Sequence, residues 1–270
     1  KYIDNFGFGK KTGVDLNGES TGIMFDLDKV GPVELATTSF GQGISVTPIQ
    51  QVTGVSAAIN GGILYKPYIV KRLLEPETKA TILENTKQEV RRVISEETSS
   101  LVRHTLESVV ANGTGKNAYI ENFRVGGKTG TAQKVNNGKY MVGNYIVSFI
   151  GFMPADNPQI VLYVAIDNPK GITQYGGTVS APIAKNILKE AAGILNIPES
   201  KDAMPREYTW LDTKYNLLPD VTGMSKEEAV KTLKGYKIET NGDGDKVIYQ
   251  EPEANTYVAD GGIVRLMLNN

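Results

Sequence analysis

At residue 123 the apolar pattern of this chain changes from a helical period to a period of two, and the new period holds to residue 167. Side chains on a strand alternate between faces, so the pattern reads as sheet. Two turn signals cut it. Asn136-Asn137-Gly138 ends in the Asn-Gly step of tight hairpins, and Pro154 to Pro158 turn the chain again. The spacing predicts strands over 123–135, 139–153 and 159–167 (QIVLYVAID). Strands joined by such short turns run antiparallel, so three in succession make a meander. A helix predicted over 180–195, with Ile183, Ile187, Leu188, Ala191 and Leu195 on one side, would cover the sheet.

Upstream, residues 1–45 are rich in Gly, Asp and Thr without sustained period, and read as loops and short strands. Thr47 and Pro48 open a helix as N-cap and first-turn proline, and Gly61-Gly62 end it. Its apolar positions are Ile49, Val52, Val55, Ala58 and Ile59. Residues 63–74 suggest strand broken by Pro67, and 76–90 a polar connection. Ser95 caps a second predicted helix to about Val110, with a stripe of Leu101, Val102, Thr105, Leu106 and Val109. Asn112-Gly113 terminates it. His104 lies off that stripe and reads as a partly exposed helix residue.

With 270 residues, the chain can build one large domain, or one domain and a small module. The expected division is 1–196, a linker over 197–218 with Pro198 and Pro205, and a module over 219–270. In the module, Ser225 to Glu228 form a capping box, followed by a short helix and strand candidates over 236–240, 246–250 and 262–268. The fold class expected is α/β (α+β), an antiparallel sheet flanked by helices, plus a small α+β unit. A formal net charge of -1 argues against broad nucleic-acid binding, so no nucleic-acid partner is expected. No apolar run reaches the roughly 18 residues of a membrane span. The chain has no cysteine and one histidine, which removes thiolate chemistry and leaves no cofactor or metal expected.

The stretch VGGKTGTAQKV, 125–135, carries the most chemistry. Gly127-Lys128-Thr129 resembles the end of a phosphate-binding loop. That loop needs a glycine five residues before Gly127, and Asn122 stands there. Thr129 and Thr131 flanking Gly130 are also poor helix starters. Gly113 to Ala118 matches G-x-G-x-x-A but follows a helix rather than a strand, so it reads as a turn. Gly7-Phe8-Gly9 has its next glycine one residue late, at Gly13. The calcium-loop likeness from Asn241 fails at Lys246 and Pro252. What remains is a strand displaying Lys128, Thr129 and Thr131 among glycines that let a ligand or backbone approach. Thr129 and Thr131 are expected on opposite faces, unless a bulge at Gly130 re-aims one. A cation, hydroxyls and edge amides suit a carboxylate-bearing peptide or an acyl-transfer oxyanion. A plain surface strand with a solvated lysine fits the motif equally well.

KTGTAQ, Lys128 to Gln133, is the form of the K-T-G signature found in class B penicillin-binding proteins. FGFGKKTGVDLNGE (6–19), ATTSFGQGISVTPIQ (36–50), VVANGTGKNA (109–118) and YGGTVSAPIAKNIL (175–188) resemble further stretches of that family, in order. LPDVTGMSKEEAVKTLKGYKIE (218–239) resembles a PASTA module. A single copy resembles the stage V sporulation protein D type more than the division type.

The resemblance implies the penicillin-binding transpeptidase and serine β-lactamase-like fold. It also implies a D,D-transpeptidase that cross-links peptidoglycan stem peptides through a serine acyl-enzyme and is acylated by β-lactam antibiotics. Lys128 would supply positive field and aid proton relay. Thr129 and Thr131 would bind the substrate carboxylate, and the Thr131 amide would form half the oxyanion hole. Gly130 would allow close approach, and Gln133 would line the strand's exit. No serine here has lysine three residues on, and no convincing S-x-N exists, so the nucleophile is expected upstream of Lys1. The resemblance further implies an extracytoplasmic location, an anchor outside this chain, and a membrane glycosyltransferase partner. A carboxypeptidase or β-lactamase of the same fold, or a non-catalytic wall-binding protein, are the alternatives.

Overall fold

The computed structural model describes residues 1–136, 138–207 and 215–269. Asn137 of the hairpin signal and residues 208–214 of the expected linker lie outside the described residues. The chain divides into two units, Lys1–Arg206 and Glu207–Asn270.

The first unit is organised by a three-stranded antiparallel sheet of β1 (Gly126–Asn136), β2 (Lys139–Met153) and β3 (Ile160–Asp167), in that order. The period-two segment is therefore the meander its turns predict. Register between β1 and β2 runs unbroken from Gly126↔Phe152 to Gln133↔Tyr145, and shifts between Gln133 and Val135. Partners opposite each other share a face. Gly127, Thr129 and Thr131 thus lie with Gly151, Phe149 and Val147. Lys128 and Gly130 lie with Ile150 and Ser148 on the other side. The glycines make room for rings. A Cβ at Gly127 would lie 2.4 Å from the Phe149 ring, and one at Gly126 would lie 2.3 Å from that of Phe152.

Helix α1 (Pro48–Ile59) begins as the sequence predicts. Thr47 Oγ1 accepts from the Gln50 amide, and Gln50 Oε1 from the Thr47 amide. Of the predicted stripe only Ile59 is fully buried; Gln50, Gly54 and Ala57 are buried with it, because Phe8 packs on Gly54 and Gln50 Nε2 donates to Lys10 and Thr21 carbonyls. Helix α2 (Glu96–Asn112) is capped by Ser95, as expected. Its buried face is rotated from the predicted one: Leu101 is exposed and Glu107 is buried. Two hydrogen bonds from Arg124, at 3.0 and 2.7 Å, satisfy that carboxylate.

Helix α3 (Gly176–Ile194) starts four residues before the predicted Ser180. It buries Gly176, Ser180, Ala181, Ala184 and Leu188, while Ile183, Ile187 and Leu195 are exposed. Small residues win because the helix lies close on the sheet, where Ser180 Oγ donates to the Val147 carbonyl at 3.0 Å. The sheet is covered on both sides. Phe149 and Met153 pack with Ala181, Ala184 and Leu188, and Phe152 packs with Ile59 of α1 and Leu106 of α2.

Residues 1–45 contain helices at Tyr2–Asn5 and Pro32–Thr38 and a single bridge, Ile23↔Ser45, in place of the expected strands. The supposed polar connection after residue 76 holds two strands, Thr81–Glu84 and Glu89–Arg92. The first pairs with Arg72–Leu74 as a local hairpin, and the second reaches back to Ile63–Tyr65.

In the second unit, α4 (Lys226–Thr232) has the expected capping box between Ser225 and Glu228. Strands β4 (Lys237–Asn241), β5 (Val247–Glu251) and β6 (Ile263–Leu268) form one sheet in the order β5-β6-β4. Leu218, Val221, Ala229, Leu233, Val264 and Leu266 fill its core. A two-stranded ribbon of Tyr215–Leu217 and Tyr257–Ala259 adds to this unit. Among the described residues, no helix is long and apolar enough to cross a membrane.

Candidate active site

Strand β1 pairs only with β2, so its other edge is open among the described residues. Lys128 Nζ donates to the Thr129 carbonyl at 2.9 Å, which places that carbonyl on the open edge rather than in the ladder. In an antiparallel strand a residue's N–H and C=O point the same way, and residues two apart share that direction. The N–H and C=O of Thr131 therefore also face the open edge, while Gly130 turns toward Ser148 of β2.

The expectation that Thr129 and Thr131 face opposite ways is corrected. Residues two apart share a face, and no bulge interrupts β1 at Gly130. Both hydroxyls lie on the α3 side of the sheet. Thr131 Oγ1 accepts from the Gly176 amide at 3.3 Å, which leaves the hydroxyl proton for another acceptor. Thr129 Oγ1 is 3.0 Å from Thr114 Oγ1 and 3.5 Å from Lys128 Nζ.

Lys128 starts on the opposite face. It borders a cavity of about 240 Å³ that is also lined by Ile150 and Tyr163 of the sheet, Gln51 and Val55 of α1, and Leu106 of α2. Its ammonium wraps to the rim. The strand therefore presents a cation from one face, two hydroxyls from the other, and edge amides between them. Gly130 has no side chain to block the centre: a Cβ there would lie 2.4 Å from Ser148 Oγ.

Lys128, Thr129, Gly130 and Thr131 thus converge within four residues. Gln133 stands apart, half-buried, with Nε2 donating to the Met141 carbonyl at 3.4 Å across the hairpin. Local sequence patterning misses Thr114 and Gly176, which touch the two threonines. It marks 113–118 as a turn and starts α3 late. Only the likeness of 109–118 and 175–188 to family stretches singles out these segments, without assigning a role to either residue. His104 is exposed on α2, and the described residues contain no cluster of His, Cys, Asp and Glu able to hold a metal ion.

This arrangement can bind a carboxylate and stabilise an oxyanion. The same segments are similar to known proteins. The family model described as "Penicillin binding protein transpeptidase domain" matches residues 1–189, and the "PASTA domain" model matches residues 217–270. The chain is 54% identical over 268 residues to stage V sporulation protein D of Bacillus subtilis, covering 99% of this chain and 42% of that protein. It is 32% identical over 200 residues to the probable peptidoglycan D,D-transpeptidase PenA of Neisseria meningitidis, covering 74% of this chain and 32% of that protein. Penicillin-binding protein 3 of Mycobacterium tuberculosis, solved in complex with ampicillin, superposes with a TM-score of 0.68 at 31% identity, covering 77% of this chain and 48% of that one. The chain thus spans less than half the length of these relatives. It belongs to the penicillin-binding protein transpeptidase family and ends in a PASTA domain.

Proposed function

We propose that this chain forms one wall of the active site of a peptidoglycan D,D-transpeptidase. The observation that carries the reading is the open edge of β1, which brings the Lys128 ammonium to the Thr129 carbonyl and hydroxyl and leaves the Thr131 amide facing the same edge. The nucleophile is a serine from the part of the relatives' length that this chain does not span. Its oxygen attacks the carbonyl of the penultimate D-Ala of a D-Ala-D-Ala stem. The carbonyl oxygen becomes an oxyanion and receives the Thr131 N–H, which is already in place and needs no reorganisation. Collapse expels the terminal D-Ala and leaves an acyl-enzyme. An amine of a second stem then takes the acyl group and releases the serine. Thr129 and Thr131 hold the terminal carboxylate, Gly130 keeps the approach open, and Lys128 supplies positive field and aids proton relay. Gln133 lines the far end of the strand. A β-lactam places its own carboxylate and carbonyl on the same groups and acylates the serine.

Two relatives support this reading: the Neisseria protein is a probable peptidoglycan D,D-transpeptidase, and the Mycobacterium protein is solved in complex with ampicillin. Residues 1–196 carry the catalytic wall, 197–218 connect, and 219–270 form the module, with Tyr215–Leu217 joining the module's ribbon. The protein works on the extracytoplasmic face of the membrane, held by an anchor outside this chain, with a membrane glycosyltransferase as partner. The test is incubation of the full-length protein with a labelled penicillin. The expected result is a covalent adduct on a serine outside this chain, formed about tenfold more slowly after Thr131→Val, the scale of one hydrogen bond to a charged group. Absence of any adduct overturns the proposal.

A further inference from the structure

We infer that Thr114 is a positioning residue for carboxylate binding, acting through Thr129; this rests on the transpeptidase reading and deepens it. Thr114 lies in the turn after α2, outside the K-T-G strand. That turn is held from three sides. The amides of Gly113 and Gly115 both donate to the Val109 carbonyl, at 3.1 and 3.0 Å, which fixes the turn to the last turn of α2. Ala118, fully buried in the core, closes the turn by donating to the Gly115 carbonyl at 2.8 Å. Helix α3 presses on the third side. Asn117 Nδ2 donates to the Gly177 carbonyl at 2.8 Å, and Gly177 packs so closely on Thr114 that a Cβ there would lie 2.5 Å from the Thr114 carbonyl oxygen.

A backbone clamped in this way presents its side chain in a fixed direction. Thr114 Oγ1 stands 3.0 Å from Thr129 Oγ1, and both residues remain accessible to a ligand. The proton order of this pair decides what Thr129 can do. A hydroxyl has one proton and two acceptor sites, and a carboxylate only accepts. If Thr129 donates to Thr114, it has no proton for a carboxylate. If Thr114 donates, the Thr129 proton is free for the ligand. The Lys128 ammonium, a donor only, approaches the same oxygen at 3.5 Å; it fits either order and polarises the Thr129 O–H to donate. A bound carboxylate therefore selects the chain Thr114 O–H to Thr129 Oγ1, then Thr129 O–H to the carboxylate. Thr114 stabilises that order without touching the reacting atoms.

The carboxylate is present before and during acylation, so losing Thr114 should weaken binding and spare the chemical step. In the full-length protein, acylation is measured against penicillin concentration. Thr114→Val, which keeps shape and loses the hydroxyl, is expected to raise the half-saturating concentration about fivefold, the scale of one hydrogen bond. The saturated rate should stay within about twofold. Thr114→Ser should restore the parent value, because it returns the hydroxyl. In a Thr129→Val background, Thr114→Val should add nothing, since the partner it acts through is gone. A parent-like Thr114→Val, or a loss that adds in full to that of Thr129→Val, overturns the inference. A parent-like Thr129→Val overturns both the inference and the carboxylate role assigned to Thr129. A merely structural role for Thr114 would lower the melting temperature and the saturated rate together, which also overturns it.

Discussion

Replacing Gly176 with alanine should slow acylation by disturbing a threonine it contacts only through its backbone. Gly176 is the first residue of α3 and lies over the β1–β2 ladder. A Cβ there would sit 2.2 Å from the Ser148 carbonyl oxygen and 2.5 Å from that of Gly130. Both are sheet backbone, so no side-chain rotation relieves the clash. Ordinary contact begins at 3.4 Å, so the start of α3 must lift by about 1 Å. That carries the Gly176 amide, now 3.3 Å from Thr131 Oγ1, out of hydrogen-bond reach. Overpacking costs about 1–3 kcal/mol, partly offset by the better helix propensity of alanine. The functional loss should be larger, because an error of about 1 Å in a positioning group can cost up to about 100-fold in rate. We expect acylation of the full-length protein by a fluorescent penicillin to fall between about tenfold and a hundredfold, with a small drop in melting temperature. Gly193→Ala is the control: the same helix, with open space where its Cβ would stand. It should acylate like the parent and melt slightly higher. A Gly176→Ala protein with parent-like acylation, or equal losses in the two variants, would refute the reasoning.

Other consequences concern stability. Glu107→Ala takes the bidentate carboxylate from Arg124, which keeps Asp156 at 3.4 Å, and frees the Met204 amide; it should cost about 1–3 kcal/mol, read by thermal or chemical unfolding. A loss below about 1 kcal/mol would mean the pair is dispensable. The Asp15 carboxyl is held below its usual range by the amide of Ile69, and then by that of Val70. Its folded pKa is the lower one, so its contribution is complete above the unfolded value of about 4 and is lost as pH falls through the folded value. Asp15→Asn should therefore lower stability at neutral pH and flatten the acid limb of a pH series of denaturant unfolding curves. Parallel curves for the two proteins would contradict this.

Much of the frame is legible from local pattern. The hairpin signals and period-two runs locate β1, β2 and β3 within a few residues, because pleat alternation and turn chemistry are properties of neighbouring residues. Thr47, Ser95 and Ser225 mark their helix starts for the same reason: a cap is made within three residues. The buried faces are less legible. Leu101, Ile183 and Ile187 are exposed while Glu107, Gly176 and Ser180 are buried. Hydrophobicity predicts which residues favour burial; close approach of a helix to a sheet selects the small ones, and a distant arginine can make a carboxylate acceptable inside. The strand at Glu89–Arg92 escapes notice because its partner lies far back in the chain, and that at Thr81–Glu84 because all four residues are exposed and leave no buried apolar face to read.

The candidate site divides in the same way. Four consecutive residues, Lys128 to Thr131, put a cation and hydroxyls on a glycine-rich strand, a local fact that fits a ligand site and a plain surface strand equally well. Pleat alternation alone puts Thr129 and Thr131 on one face; tertiary structure decides that β1 is an edge and that their hydroxyls are met by Thr114 and Gly176. Those contacts join residues 15 and 45 positions apart. No periodicity spans such distances. They exist because α2 and α3 pack on one sheet and bring their ends to the same rim.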